Sequence, residues 1–310
     1  MAPRSKARIY LAAQAAAGAL WWLTVLASSD VRGWTLGGLN PVLLVGPDFA
    51  LFVGASALAA ALGHRGWALV AALWTTVATL GLLTYGLVER EAGTGVVLMA
   101  IATVATVSAA STLQFGHVPT RWFFVGPFSF REAAAQSPGH HLRRSLRQLV
   151  VFWTSLLVVL PLLLGWGERR LRLAWRTLEQ PRWAVTGVVV FVTASALGLW
   201  SCFSMALRGQ GTPLPAATAR ALVVVGPYRF VRNPMALAGA FQTIGVGLGI
   251  GSWIAVVSAG VGALAWNTFI RPVEEADLAV RFGAPYEDYC RRVRCWVPRR
   301  PDTVHRSRAE

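Results

Sequence analysis

Apolar runs of about twenty residues recur along the chain, near 9–28, 41–62, 67–88, 95–113, 148–166 and 183–206. Each is long enough to cross the ~30 Å hydrocarbon of a bilayer as a helix rising about 1.5 Å per residue. The stretch 235–270 differs, because its 36 residues would make one helix of about 54 Å, too long for a single crossing. Gly245, Gly247, Gly249 and Gly251 fall in its middle. Two short helices interrupted there and joined as a tight hairpin are predicted, which brings the count to eight spans. The fold class is therefore all-α, a polytopic transmembrane helical bundle with a C-terminal hairpin and an amphipathic tail helix.

The positions of the arginines orient these spans. Starting from a cytoplasmic N-terminus, the loops 114–147 and 207–234 and the tail 271–310 all fall inside, and all three are rich in Arg, as the positive-inside rule requires. One loop disagrees: 167–182 carries Arg169, Arg170, Arg172, Arg176 and Arg182 and would face outward. It is either an interfacial amphipathic helix or the sign of a misplaced span. The first run follows Arg4, Lys6 and Arg8 but is long, contains Trp21 and Trp22 and lacks a clear A-x-A cleavage site. It reads as a signal anchor rather than a cleaved signal peptide. The expectation is a multi-pass protein of the plasma (inner) membrane with both termini cytoplasmic.

Composition agrees with the pattern. Of 310 residues 55% are hydrophobic and only 14% charged, against about 25% in soluble domains. A soluble enzyme and a disordered chain are both excluded. The net charge is +15, and Lys6 is the only lysine among 29 basic residues. In a chain this apolar the excess points to anionic lipid headgroups and not to nucleic acid. The three cysteines, Cys202, Cys290 and Cys295, have no metal-ligand spacing, and the five histidines are scattered. No metal site is expected.

The chain divides unevenly into a four-span region, 1–147, with few embedded polar groups and no recognisable chemistry; a fifth span with its Arg-rich loop, 148–182; and a core, 183–310, that holds almost everything chemical. One weak echo, Val125 to Arg131 against Val225 to Phe230, lacks the Arg-Asn-Pro of the second copy and reads as an interfacial turn.

In 207–234, Gly209, Gly211, Pro213 and Pro215 forbid a regular helix. Asn233-Pro234 then opens one, Asn as N-cap and Pro at the first helical position. A helix start flanked by Arg229 and Arg232 suits an anion, although the same residues also suit a loop touching lipid phosphates. After the hairpin come Arg271, Glu274 and Glu275. Adjacent carboxylates where a helix leaves the membrane are costly unless paired or functional, and the 229–232 arginines, returned by the hairpin, are their natural partners. Beyond them Leu278, Phe282, Tyr286, Tyr289 and Val293 form one stripe of an amphipathic helix, broken at Gly283 and Pro285. Val297-Pro298-Arg299 ends it, and 300–310 reads as a disordered basic tail.

In this order and spacing, the loop Gly209 to Pro213, the run Leu222 to Pro234, the hairpin, and Arg271 to Tyr289 resemble one family. It is that of the integral-membrane methyltransferases, comprising isoprenylcysteine carboxyl methyltransferases, phospholipid N-methyltransferases and related bacterial proteins. The resemblance covers about 183–310 and implies S-adenosyl-L-methionine as cofactor, in a pocket opening to the cytosol. By the same resemblance, Arg220, Ala221, Leu222, Val223, Tyr228 and the segment Asn233, Pro234, Met235 and Ala236 would line the cofactor with Arg232. Glu274 and Glu275 would match the paired acids, and Arg271 would lie near the acceptor. Arg271, Glu274 and Arg232 are the candidate catalytic residues. Two positions depart from the eukaryotic members: Asn233 stands where they have His, and Ala236 where they have Tyr. The implied acceptor is lipidic or small and apolar, most simply an isoprenylcysteine-type carboxylate, with membrane lipids as further partners. Two other readings stand beside it. One is an NADPH-dependent lipid reductase of the steroid-reductase type, against which Glu274-Glu275 argues. The other is a non-catalytic lipid-binding protein of the same fold.

Overall fold

A computed structural model of the chain describes residues 2–119, 138–212 and 219–298. The echo turn at 125–131, the basic tail at 300–310, Pro213 and Pro215 lie outside the described residues. All regular structure among the described residues is helical. Seven helices are long and apolar enough to cross a membrane: Pro3–Ala27, Pro41–Leu62, Arg65–Glu89, Gly93–Phe115, Leu142–Arg170, Pro181–Arg208 and Trp253–Phe282. The protein is a multi-pass membrane protein. Its helices gather into two compact units, one of Met1–Thr120 and Trp166–Ala174, the other of Arg121–Gly165 and Trp175–Glu310.

The first unit contains α1 (Pro3–Ala27), α2 (Ser29–Thr35), α3 (Pro41–Asp48), α4 (Ala55–Leu62), α5 (Arg65–Glu89) and α6 (Gly93–Phe115), with a π-helical turn, Phe49–Gly54, fusing α3 and α4. Leu11, Val25, Ala55 and Ala59 are buried completely. The Arg8 guanidinium donates from Nε to Ala60 O (2.7 Å) and from Nη2 to Ala61 O (2.8 Å). A cation thereby satisfies the orphan carbonyls at the end of α4.

The polar groups of this unit are paired across helices. Gln14 Oε1 accepts from Tyr10 Oη (2.5 Å) and Thr106 Oγ1 (2.6 Å), and Gln14 Nε2 donates to Ser56 Oγ (2.9 Å). The Asp48 carboxylate accepts the indole N–H of Trp22 (2.7 Å) and of Trp74 (2.8 Å). In lipid no water can serve these groups, so they find one another.

The 167–182 loop is not the amphipathic helix that is one of its two sequence-based readings. Its helix stops at Arg170, Arg172 takes a positive φ of 54°, and Arg176–Glu179 is a single 3-10 turn. Arg170 ends the helix by turning to α5, where Nε donates to Leu87 O (2.5 Å) and Nη2 to Val88 O (3.3 Å).

The second unit contains α7 (Pro138–Phe152), α8 (Leu160–Arg170) as far as Gly165, α9 (Pro181–Arg208), α10 (Pro234–Gly249), α11 (Trp253–Ala265), α12 (Arg271–Phe282) and α13 (Ala284–Arg292). The predicted hairpin is present as α10 and α11, but its glycines act differently from expectation. Gly245, Gly247 and Gly249 lie within α10 and do not interrupt it. Two of them serve close packing: a Cβ on Gly245 would stand 2.8 Å from Gly187 O of α9, and one on Gly247 would stand 2.8 Å from Val256 N of α11. Only Gly251, with φ +69°, belongs to the turn, where Ser252 Oγ accepts from Ala255 N (3.1 Å) to cap α11. The other face of α9 is apolar and open, with Val185, Val188, Val189 and Val192 exposed as a lipid-facing surface requires. The tail helix breaks at Gly283, whose φ of 53° and ψ of −136° separate α12 from α13.

Candidate functional site

At the mouth of the hairpin the sequence places Asn233 and Pro234, and the local chemistry follows. Asn233 Oδ1 accepts from Ala236 N (2.9 Å), and Pro234 occupies the first turn of α10. The cap occupies one of the free N–H groups that made this helix start attractive for an anion. Further donors of the turn are also engaged: Arg232 N donates to Arg294 O (3.0 Å) and Asn233 N to Cys295 O (3.5 Å). The segment after α13 is thereby strapped across the 229–233 turn.

Arg232 lies inside this arrangement, its side chain 13% exposed. Nη1 donates to Cys290 O (3.1 Å) and Val293 O (3.2 Å), and Nη2 to Glu275 Oε1 (2.7 Å). Its Nε is buried without a hydrogen-bond partner. Burial opposes its charge, but Glu275, together with Cys290 and Tyr286, outweighs it and holds the guanidinium above its ordinary range. Arg229, by contrast, is exposed with its guanidinium 5.4 Å from the Phe230 ring centre, so only one of the two flanking arginines faces the site.

Glu275 Oε1 also accepts from Arg271 Nε (2.9 Å), an i,i+4 contact along α12. One carboxylate oxygen thus ties two arginines, one from each end of the hairpin. Arg232 pairs with Glu275 and not with Glu274, so the two neighbouring acids part company. Among the described residues Glu274 makes no ion pair. No charged residue lies in 253–270, so the apolar span ends at Ile270 and α12, with Glu274, stands outside it. Glu274 keeps some surface but sits deep among protein atoms. Burial first, then repulsion from Glu275 and Asp277, push its carboxyl up to about 7.

Tyr228 is buried, packed with Ala219, Val223 and Met205. Its carbonyl accepts from Tyr289 Oη (2.7 Å), and burial, with lesser contributions from Tyr289 and Glu274, holds its hydroxyl well above the ordinary range. Its ring therefore forms part of the wall of a packed cluster. Arg220 N and Ala221 N both donate to Gly209 O (2.7 and 3.2 Å), which ties residues 220–221 to the end of α9. Leu222 joins the second cluster of Tyr286, Tyr289 and Val293, together with Leu278 and Phe282. The predicted stripe is therefore one contiguous packing surface. Met235 and Ala236 are half-buried in the first turn of α10 and Pro234 is fully buried.

Three contributors are not singled out by sequence. Arg281 donates from Nη1 to Ala219 O (2.7 Å) and pairs with Asp277. Asn267 Oδ1 accepts from Arg271 Nη1 (2.9 Å) and from Trp296 Nε1 (2.9 Å). The i,i+4 spacing of Asn267 and Arg271 is the available signal; the Trp296 contact, across 29 residues, has none.

Residues 183–284 match the family model described as phospholipid methyltransferase. The match is 102 of the 310 residues and takes in α10, α11 and α12 with Arg232, Glu274 and Glu275. No curated protein and no solved structure matches the chain. This third of the molecule carries the signature of an integral-membrane methyltransferase family, which supports a membrane methyltransferase in general terms.

Proposed function

We propose that the protein transfers a methyl group from S-adenosyl-L-methionine to a lipidic or small apolar acceptor, with an isoprenylcysteine-type carboxylate as the simplest candidate. The observation that carries this reading is the division of charge at the hairpin mouth. A largely buried Arg232 has its Nε N–H unspent, and a carboxyl group at Glu274 has no ion partner among the described residues. These complement a ligand bearing both a carboxylate and cationic groups. Arg232 Nε would take the cofactor's carboxylate, Glu274 its α-amino group or ribose diol, and Arg271 the anionic acceptor. The bound cofactor supplies an electrophilic methyl group. The chain's own work is to hold donor and acceptor in line and to exclude water. An ionised carboxylate acceptor needs no general base. We further place both termini and this site on the cytoplasmic face of the plasma (inner) membrane.

Calorimetry on the purified full-length protein tests the assignment. S-adenosylhomocysteine should bind in the micromolar range, about −8 kcal/mol. Tight NADPH binding with no response to S-adenosylhomocysteine would replace the methyltransferase reading by the reductase one.

A further inference from the structure

Arg271 is held on two sides. Nε donates to Glu275 Oε1 (2.9 Å) and Nη1 to Asn267 Oδ1 (2.9 Å), while among the described residues Nη2 has no hydrogen-bond partner. A guanidinium is planar, so fixing two of its nitrogens fixes the plane and the direction of the third. Asn267 is itself fixed. Its Oδ1 accepts from two N–H donors at once, Arg271 and Trp296 Nε1 (2.9 Å), an arrangement only the oxygen of the amide can satisfy. The Trp296 ring stands edge-on to Trp266 at 5.3 Å between centres, so its N–H is steered by aromatic packing. Asn267 lies in the π-helical turn Trp266–Ile270 that joins α11 to α12, and it is an uncharged polar residue in a run otherwise suited to lipid.

We propose that Asn267 is a positioning residue for the acceptor end of the site. It orients Arg271 from the hairpin side while Glu275 orients it from α12. It also makes the strap after α13, through Trp296, part of the acceptor site. The proposal rests on the methyltransferase reading for the role of Arg271, and on geometry alone for the way Arg271 is held.

Three variants in the full-length protein separate these. In Asn267→Leu, phenylglyoxal modification of Arg271, read by peptide mass spectrometry, should be at least threefold faster than in the wild type. Asn267→Asp keeps an acceptor for both donors and should return the rate to the wild-type value. Trp296→Phe keeps the ring but not the N–H and should fall between them. With S-farnesylated N-acetylcysteine as probe acceptor, Asn267→Leu should raise the acceptor KM more than tenfold. S-adenosylhomocysteine affinity should stay within threefold. An unchanged Arg271 modification rate, or an acceptor KM that moves only together with cofactor affinity and melting temperature, would overturn the positioning role. Absence of methyl transfer by the wild type would instead remove the acceptor assignment, and the labelling rates would still decide how Arg271 is held.

Discussion

Glu274 and Glu275 are adjacent in sequence, yet among the described residues one carries two arginines and the other none. Their first predicted consequence is opposite behaviour on neutralisation. Glu275→Gln removes the acceptor shared by Arg232 Nη2 and Arg271 Nε and strands a largely buried guanidinium. It should cost about 2 kcal/mol of stability and lower cofactor affinity. Glu274→Gln should leave the folded protein intact or slightly firmer while also weakening the cofactor. The pH dependence follows from sign. The carboxyl of Glu274 is raised from 4.5 to about 7 in the folded chain. Between those values the native state binds the proton that the unfolded state releases. Its contribution is therefore full below about 4.5 and is lost as pH rises through about 7. Melting temperatures in detergent from pH 5 to 8 should show this decline in the wild type and a shallower one in Glu274→Gln; equal slopes would remove the assignment. That the acids of α12 meet the arginines of the 229–232 turn is legible in the sequence, because they have to come together wherever the hairpin closes. Which acid pairs is not legible, since adjacent residues on a helix point about 100° apart and only the packed geometry selects one.

At the scale of elements, glycine separates what a pattern says from what packing uses. Gly187 and Gly245 bring α9 and α10 into backbone contact: a Cβ at Gly187 would meet Gly245 O at 2.5 Å. At Gly249, the last residue of α10, an added Cβ would meet nothing within 4 Å. Gly187→Val should thus force the helices apart at a cost of about 1–3 kcal/mol or more and reduce S-adenosylhomocysteine binding by displacing α10. Gly249→Ala should be tolerated. A Gly187→Val protein that melts and binds like the wild type would show that the crossing is not as close as described. In sequence all these glycines look alike as helix breakers. Small residues at a helix–helix contact in a membrane do the reverse, since they let backbones approach where lipid offers no hydrophobic drive.

For the whole molecule, the hairpin makes a directional prediction. It returns the chain to the side from which it left, so the end of α9 and the segment after α13 must share a face. Single cysteines at exposed Arg208 and Val297, with the three native cysteines replaced by alanine, should both be labelled from the cytoplasmic side by an impermeant maleimide. Labelling from opposite sides would mean that 235–270 crosses once and that Arg232 and Glu275 cannot meet. The helical class, the apolar spans, the hairpin, the Asn-Pro helix start and the aromatic stripe of the tail are all written in the order of residues. They follow from local periodicity, apolar length and capping chemistry, which act between near neighbours. Packing in three dimensions is needed to give both arginines to Glu275, to set Tyr228 into a wall, to carry Trp296 to Asn267, and to close the polar contacts of Gln14 and Asp48 within the first unit. Apart from the i,i+4 contacts of Arg271 with Glu275 and of Tyr10 with Gln14, the polar pairings among these join residues 26 to 92 positions apart in the chain. Where lipid replaces water, each buried polar group takes whichever partner the packing brings near, and sequence spacing carries no record of that choice.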